Sequence, residues 1–186
     1  QELAFSGQVP LQTDIRGLAS LGEQIFVGGA NGLVQILTLQ GQPQGSMQEP
    51  GMITALKAVE GWIFVGFTGA QTGMGHVKAY NLNSKDGTTK TYDLVRNPQT
   101  FPAAHERGVT SICIAGDALL TGGLDGQVRS WRLQGEVWQP TDEAALILGS
   151  EVTALLFDAA TRCMYIGSSV GEVKMLRPPE KDGTTW

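Results

Sequence analysis

Four stretches of this chain repeat one pattern, and that period constrains the fold more than any local propensity does. They are Ile25-Phe26-Val27-Gly28 with Asn31-Gly32-Leu33-Val34, Ile63-Phe64-Val65-Gly66 with Met74-Gly75-His76-Val77, Leu119-Leu120-Thr121-Gly122 with Asp125-Gly126-Gln127-Val128, and Met164-Tyr165-Ile166-Gly167 with Val170-Gly171-Glu172-Val173. Each is an apolar strand, a glycine-containing turn and a second strand. Aligning Gly28, Gly66, Gly122 and Gly167 places an apolar strand before each unit: Ile15 to Leu21, Met52 to Val59, Val109 to Ala115 and Val152 to Asp158. After the turn come Val34 to Leu39, Val77 to Leu82, Val128 to Leu133 and Val173 to Leu176. A fourth, more polar strand follows in each unit. It forms an outer edge, where one face meets water and alternation is weak.

This pattern predicts an all-β chain: a β-propeller segment of about four four-stranded antiparallel blades, half of a larger ring. The blades span approximately 14–50, 51–96, 105–145 and 150–186, one partial propeller over 1–186. Composition agrees. At 186 residues and 41% hydrophobic, the chain can bury a core, and 25 glycines with only 17% charged residues suit many short strands and tight turns. Lys85-Asp86-Gly87-Thr88-Thr89 recurs as Lys181-Asp182-Gly183-Thr184-Thr185. Asp-Gly is a hairpin-turn signal, so both copies are expected between third and fourth strands, with Asp86 and Asp182 as turn formers. The last copy puts Trp186 just inside a strand, and the chain opens on Gln1. Both ends read as those of a piece of a longer product.

The strand-end glycines step by 38, 56 and 45 residues. The long step contains Asn97-Pro98-Gln99-Thr100-Phe101-Pro102, and Ala70 to Gly73 lengthen one inner turn. Such insertions fall in face loops, which carry binding as readily as they are tolerated.

The formal charge of −5 argues against direct nucleic-acid binding by this segment, and no run of five like charges marks a polybasic or acidic tail. Cys113 and Cys163 form no CxxC pair, so no disulfide framework, metal site or cofactor is expected. Two reduced, half-buried thiols fit an intracellular protein, cytoplasmic or nuclear, whose targeting signal lies outside this chain. No apolar run reaches the length of a membrane span.

Unit three resembles a WD40 repeat. It reads His105, then Val109-Thr110-Ser111-Ile112, then Leu120-Thr121-Gly122-Gly123-Leu124-Asp125-Gly126-Gln127-Val128-Arg129-Ser130-Trp131. In that family a His, a Ser or Thr, an Asp and a Trp form a buried hydrogen-bonded network, and His105, Thr121, Asp125 and Trp131 stand at matching places. Other units depart from the pattern: the Trp position is Leu37, Tyr80 and Leu176, and the Asp position Asn31, Met74 and Val170. The network is therefore expected in unit three only, with apolar packing elsewhere. Unit two also resembles the WD40 part of a CCCH zinc-finger family through Gly61-Trp62-Ile63-Phe64-Val65-Gly66 and Val77-Lys78-Ala79-Tyr80-Asn81.

The WD40 resemblance implies a non-catalytic protein–protein interaction scaffold, docking within a larger assembly. The zinc-finger resemblance implies an alternative: the WD40 portion of an RNA-associated regulatory protein. His105, Asp125 and a hydroxyl do not make a hydrolase, because no nucleophile elbow or oxyanion hole accompanies them. Arg16, Arg107 and Glu151 fall at the start of innermost strands, with Leu124 beside the inner turn of unit three. In WD40 rings that edge is the docking face. Trp62, Trp138 and Trp186 are further contact candidates, because aromatics dominate interface hot spots; the competing reading is packing between blades. Lys78, Arg129 and Lys174 share one position, either a basic stripe for an acidic partner or, the favoured reading, solvated strand residues, and His76 reads as a solvated turn residue. Four blades leave two faces bare. The ring would be completed by missing residues, a second copy or another subunit.

Overall fold

The computed structural model describes residues 8–83, 88–141 and 146–177. Their regular structure is all β: sixteen strands in four antiparallel sheets. Blade one is β1 (Ile15–Leu21), β2 (Gln24–Gly29), β3 (Leu33–Thr38) and β4 (Pro43–Gln48). Blade two is β5 (Gly51–Val59), β6 (Trp62–Gly69), β7 (Gly75–Asn81) and β8 (Lys90–Asp93). Blade three holds β9 (Val109–Ala115), β10 (Ala118–Gly123), β11 (Gln127–Gln134), β12 (Val137–Pro140) and β13 (Leu146–Ile147). Blade four holds β14 (Val152–Asp158), β15 (Cys163–Ser168) and β16 (Val173–Leu176). Within each, strands pair in chain order as a meander, except that β13 pairs with β11.

Two blades depart from the expected four strands. The outer position of blade three is divided. β12 pairs the end of β11 and β13 pairs its beginning, and Pro140, which has no N–H to donate, ends the first of these ladders. Blade four shows three strands, because its expected fourth lies outside the described residues, as do the second Lys-Asp-Gly-Thr-Thr copy and Trp186. Lys85, Asp86 and Gly87 also lie outside them.

Each β1-type strand begins with a bulge, at Ile15/Gly17, Ile53/Ala55, Gly122/Gly123 opposite Val109, and Val152/Ala154. The bulge bends the strand and tilts the apolar side chain beside it towards the preceding blade. There the strand-end glycine makes room. A Cβ on Gly28, Gly66 or Gly122 would lie 2.5, 3.0 or 2.5 Å from a methyl of Ile53, Val109 or Val152 respectively. The glycines recur in this chain because the blades approach closely over them.

Three apolar clusters fill the three junctions. Phe26 and Val34 meet Ile53, Ile63 and Val65 between blades one and two. Phe64, Val77 and Ala79 meet Val109, Ile112, Leu119 and Trp131 between two and three. Cys113, Leu120 and Val128 meet Val152, Met164 and Ile166 between three and four. Full burial of one such side chain is worth about 1.5–3 kcal/mol. The junctions therefore dominate the stability of the stack. Both cysteines are free and buried, more enclosed than the half-buried state expected from sequence.

Candidate interaction surface

His105, Thr121, Asp125 and Trp131 come together where blade three meets blade two. His105 sits in the link before β9, where its backbone N–H donates to Gly75 O at 2.9 Å and its carbonyl accepts from Gly75 N at 3.0 Å. Its Nδ1 lies 3.0 Å from Asp125 Oδ1, and its Nε2 lies 2.8 Å from Thr121 Oγ1. Trp131 Nε1 donates to the same Thr121 oxygen at 3.0 Å. One assignment satisfies every atom: Trp131 donates to Thr121, the Thr121 hydroxyl donates to His105 Nε2, and His105 Nδ1–H donates to Asp125. Asp125 also accepts from the Glu106 and Gln127 amides at 3.0 and 3.2 Å. Burial pushes its carboxyl up, but His105 and the two amides outweigh this and hold it below the ordinary value. Gly126 follows with φ 75°, the left-handed turn residue that returns the chain into β11. The hydroxyl beside His105 is fully buried, so this geometry cannot present Thr121 to a substrate as a nucleophile.

A second polar network lies one junction earlier, and it corrects the expectation of purely apolar packing elsewhere. Glu49 occupies the place of His105: its N–H donates to Gly32 O at 2.9 Å, and its side chain is buried. The carboxylate accepts from Lys78 Nζ at 2.7 Å and from the Tyr80 hydroxyl. Tyr80 stands at the Trp position, so a phenol and a carboxylate replace an indole and an imidazole. Burial, reinforced by the Glu49 carboxylate, pushes the Tyr80 hydroxyl well above the usual phenol range. In blade four the matching residue is Leu148, and its carbonyl accepts from Lys174 Nζ at 3.5 Å.

Lys78, Arg129 and Lys174 are thus not a solvated row. They pair with Val65, Thr121 and Ile166, so their side chains fall on the sheet face turned into a junction. Lys78 meets Glu49, while Arg129 is buried and donates to Gln127 Oε1. His76 is likewise no free turn residue: it lies in β7, stacked on Phe67 with ring centroids 5.1 Å apart. Burial holds its imidazole below the ordinary value against the opposing pull of Asp93.

Of the six contact candidates within the described residues, Arg107, Leu124 and Glu151 meet at the strand-start end of blades three and four. Arg107 Nη1 donates to the Leu124 carbonyl at 3.0 Å and pairs with Glu151 at 2.9 Å. Leu124 N–H donates to Gly108 O at 2.9 Å, and its side chain is half-buried. Asp125, the next residue, ties this turn to His105, so the buried network fixes the surface cluster. Arg16 stands apart on blade one, 3.5 Å from Asp14. Trp62 and Trp138 come together at the opposite end. Their centroids are 5.8 Å apart, at 86°, and Phe64 lies 5.2 Å from Trp138. Trp138 is only 8% exposed, which corrects its reading as a contact residue. It seals blade three against blade two.

Sequence reasoning left one further feature unassigned. The 70–73 insertion and the 94–102 link border a groove of about 630 Å³ lined by Phe67, His76, Lys78, Asp93, Val95 and Pro102. The link is self-braced: Asn97 Oδ1 accepts from the Gln99 and Thr100 amides, and the Arg96 guanidinium lies 4.4 Å from the Phe101 ring centre. Among the described residues no group of three or more His, Cys, Asp or Glu could hold a metal, and no helix is long and apolar enough to cross a membrane.

No family model and no curated protein matches the chain by sequence. Solved structures match by fold. The computationally designed Ika4 protein overlays with TM-score 0.66 at 21% identity, over 92% of this chain and 99% of that one. The designed Ika8 protein overlays at 0.64 and 20%, over 90% of this chain and 47% of that one. A chain of the Mitotic Checkpoint Complex overlays at 0.65 and 16%, over 91% and 49%. At these identities the likeness concerns the fold: a propeller-like stack that spans about half the length of the two longer chains.

Proposed function

We propose that this chain is a WD40-like, non-catalytic protein-interaction propeller whose docking surface is the strand-start end of blades three and four. The observation that carries the reading is the joining of Arg107, Leu124 and Glu151 into one cluster braced from below by Asp125. A rigid, partly apolar site with a directed guanidinium and carboxylate suits a polypeptide partner that offers a complementary charge pair. Overlay on a chain of a multiprotein assembly is consistent with this role. The RNA-associated alternative gains no separate support, given a net charge of −5.

The test is a quantitative comparison of complexes recovered with the native chain, with Arg107→Glu, and with Glu23→Lys in the turn at the opposite end. Interaction through the proposed face predicts partners lost only with Arg107→Glu, at unchanged thermal stability. Equal recovery with all three would contradict it.

A further inference from the structure

Every blade junction in the chain uses one knob and one socket. Ile53, Val109 and Val152 are the knobs, exposed by 0%, 1% and 0%, and they seat over Gly28, Gly66 and Gly122. One knob and one socket remain unmatched among the described residues. Ile15 occupies the knob position of blade one, beside the same bulge, and is 43% exposed. Gly167 occupies the socket position of blade four, and the three atoms nearest to a Cβ there belong to Thr153 and Ala154 of its own blade.

The surroundings repeat the match. Across blade four, Leu156, Tyr165 and Met175 form one cross-strand row, and Ala154, Gly167 and Val173 the next. Their counterparts in blade three, including Cys113, Leu120 and Val128, lie buried beneath blade four. Leu156 and Val173 are instead 62% and 72% exposed. Leu18 of blade one matches Leu56, which packs over Gly17 and Gly28, yet Leu18 is 65% exposed. Thr153 stands where Thr110 sends its hydroxyl across a junction to Val152 O at 2.7 Å.

We propose that blade four of one molecule receives blade one of a second copy, and the reverse, so that two chains close an eight-bladed ring through two identical head-to-tail junctions. The occupant is a second copy because the free knob face is of the kind that this chain already seats on the sockets of three blades. A two-fold arrangement satisfies both bare faces at once. Overlay of the four blades on about half of a longer propeller-like chain leaves room for a body of equal size. This inference stands apart from the proposed docking surface, which uses the ends of the strands.

The experiment is sedimentation equilibrium of the 186-residue chain, alone and as Ile15→Asp and Gly167→Leu, with circular dichroism to confirm that each variant is folded. The expected result is twice the 19.8 kDa chain mass for the native protein and the single-chain mass for each variant. A native monomer would overturn the proposal. So would a dimer that survives Ile15→Asp, which would place the contact elsewhere, or a mass that grows without limit, which would mean an open stack.

Discussion

Asp125 ties the 105–106 link to the turn at 125–127. It holds His105, caps the amide of Glu106 and closes the turn into β11. Replacement by Ala leaves His105 Nδ1–H and two amides without an acceptor, and is expected to cost about 1–3 kcal/mol in urea unfolding. Its pH dependence has a definite sign. The folded carboxyl titrates below its ordinary value of 3.8, so its contribution is complete above that value and is lost as pH falls through the lower folded value. The gap in unfolding free energy between the native chain and Asp125→Asn should therefore be steady well above pH 3.8 and narrow as pH falls below it. A constant gap would contradict the ionised role. Glu49→Ala should cost about 3 kcal/mol, the low end for one partner of a buried pair, because Lys78 retains some contact with water. Adding Tyr80→Phe should then cost less than it does alone. The His105 set was legible because each member has a distinct donor or acceptor role at family spacing. Glu49 was not, because Glu before Pro50-Gly51 reads as a solvated turn. Its burial depends on Lys78 and Tyr80, brought to it by strand pairing in the next blade.

At the scale of elements, period two and recurrent glycines placed β1, β9, β14 and β16 at the observed residues. β7 starts at Gly75, two residues before the expected Val77, because the 70–73 insertion changes the turn that feeds it. The divided edge of blade three was less legible, because outer strands lack a buried face to impose alternation. Trp138 shows the same limit. An aromatic on an edge strand reads equally as a contact or a seal, and only the neighbouring blade's Trp62 and Phe64 decide. As a seal it should cost about 3–5 kcal/mol on replacement by Ala, measured by thermal or urea unfolding. A loss under 1 kcal/mol would return it to the surface.

For the whole molecule, the organising device is the repeated seating of a bulge-tilted Ile or Val on a strand-end glycine. Sequence alignment found these glycines as markers of period, while their role as sockets needed the distances between blades. The most direct test is the urea unfolding free energy of Gly122→Val beside Gly45→Val. Gly45 lies in edge strand β4, where a Cβ would meet only the tip of Ile36 at 3.8 Å. A Cβ on Gly122 would come within 2.5 Å of Val152. Stacking through sockets predicts a loss of about 1–3 kcal/mol for Gly122→Val, and a change within about 0.5 kcal/mol for Gly45→Val. Equal effects from the two substitutions would contradict it.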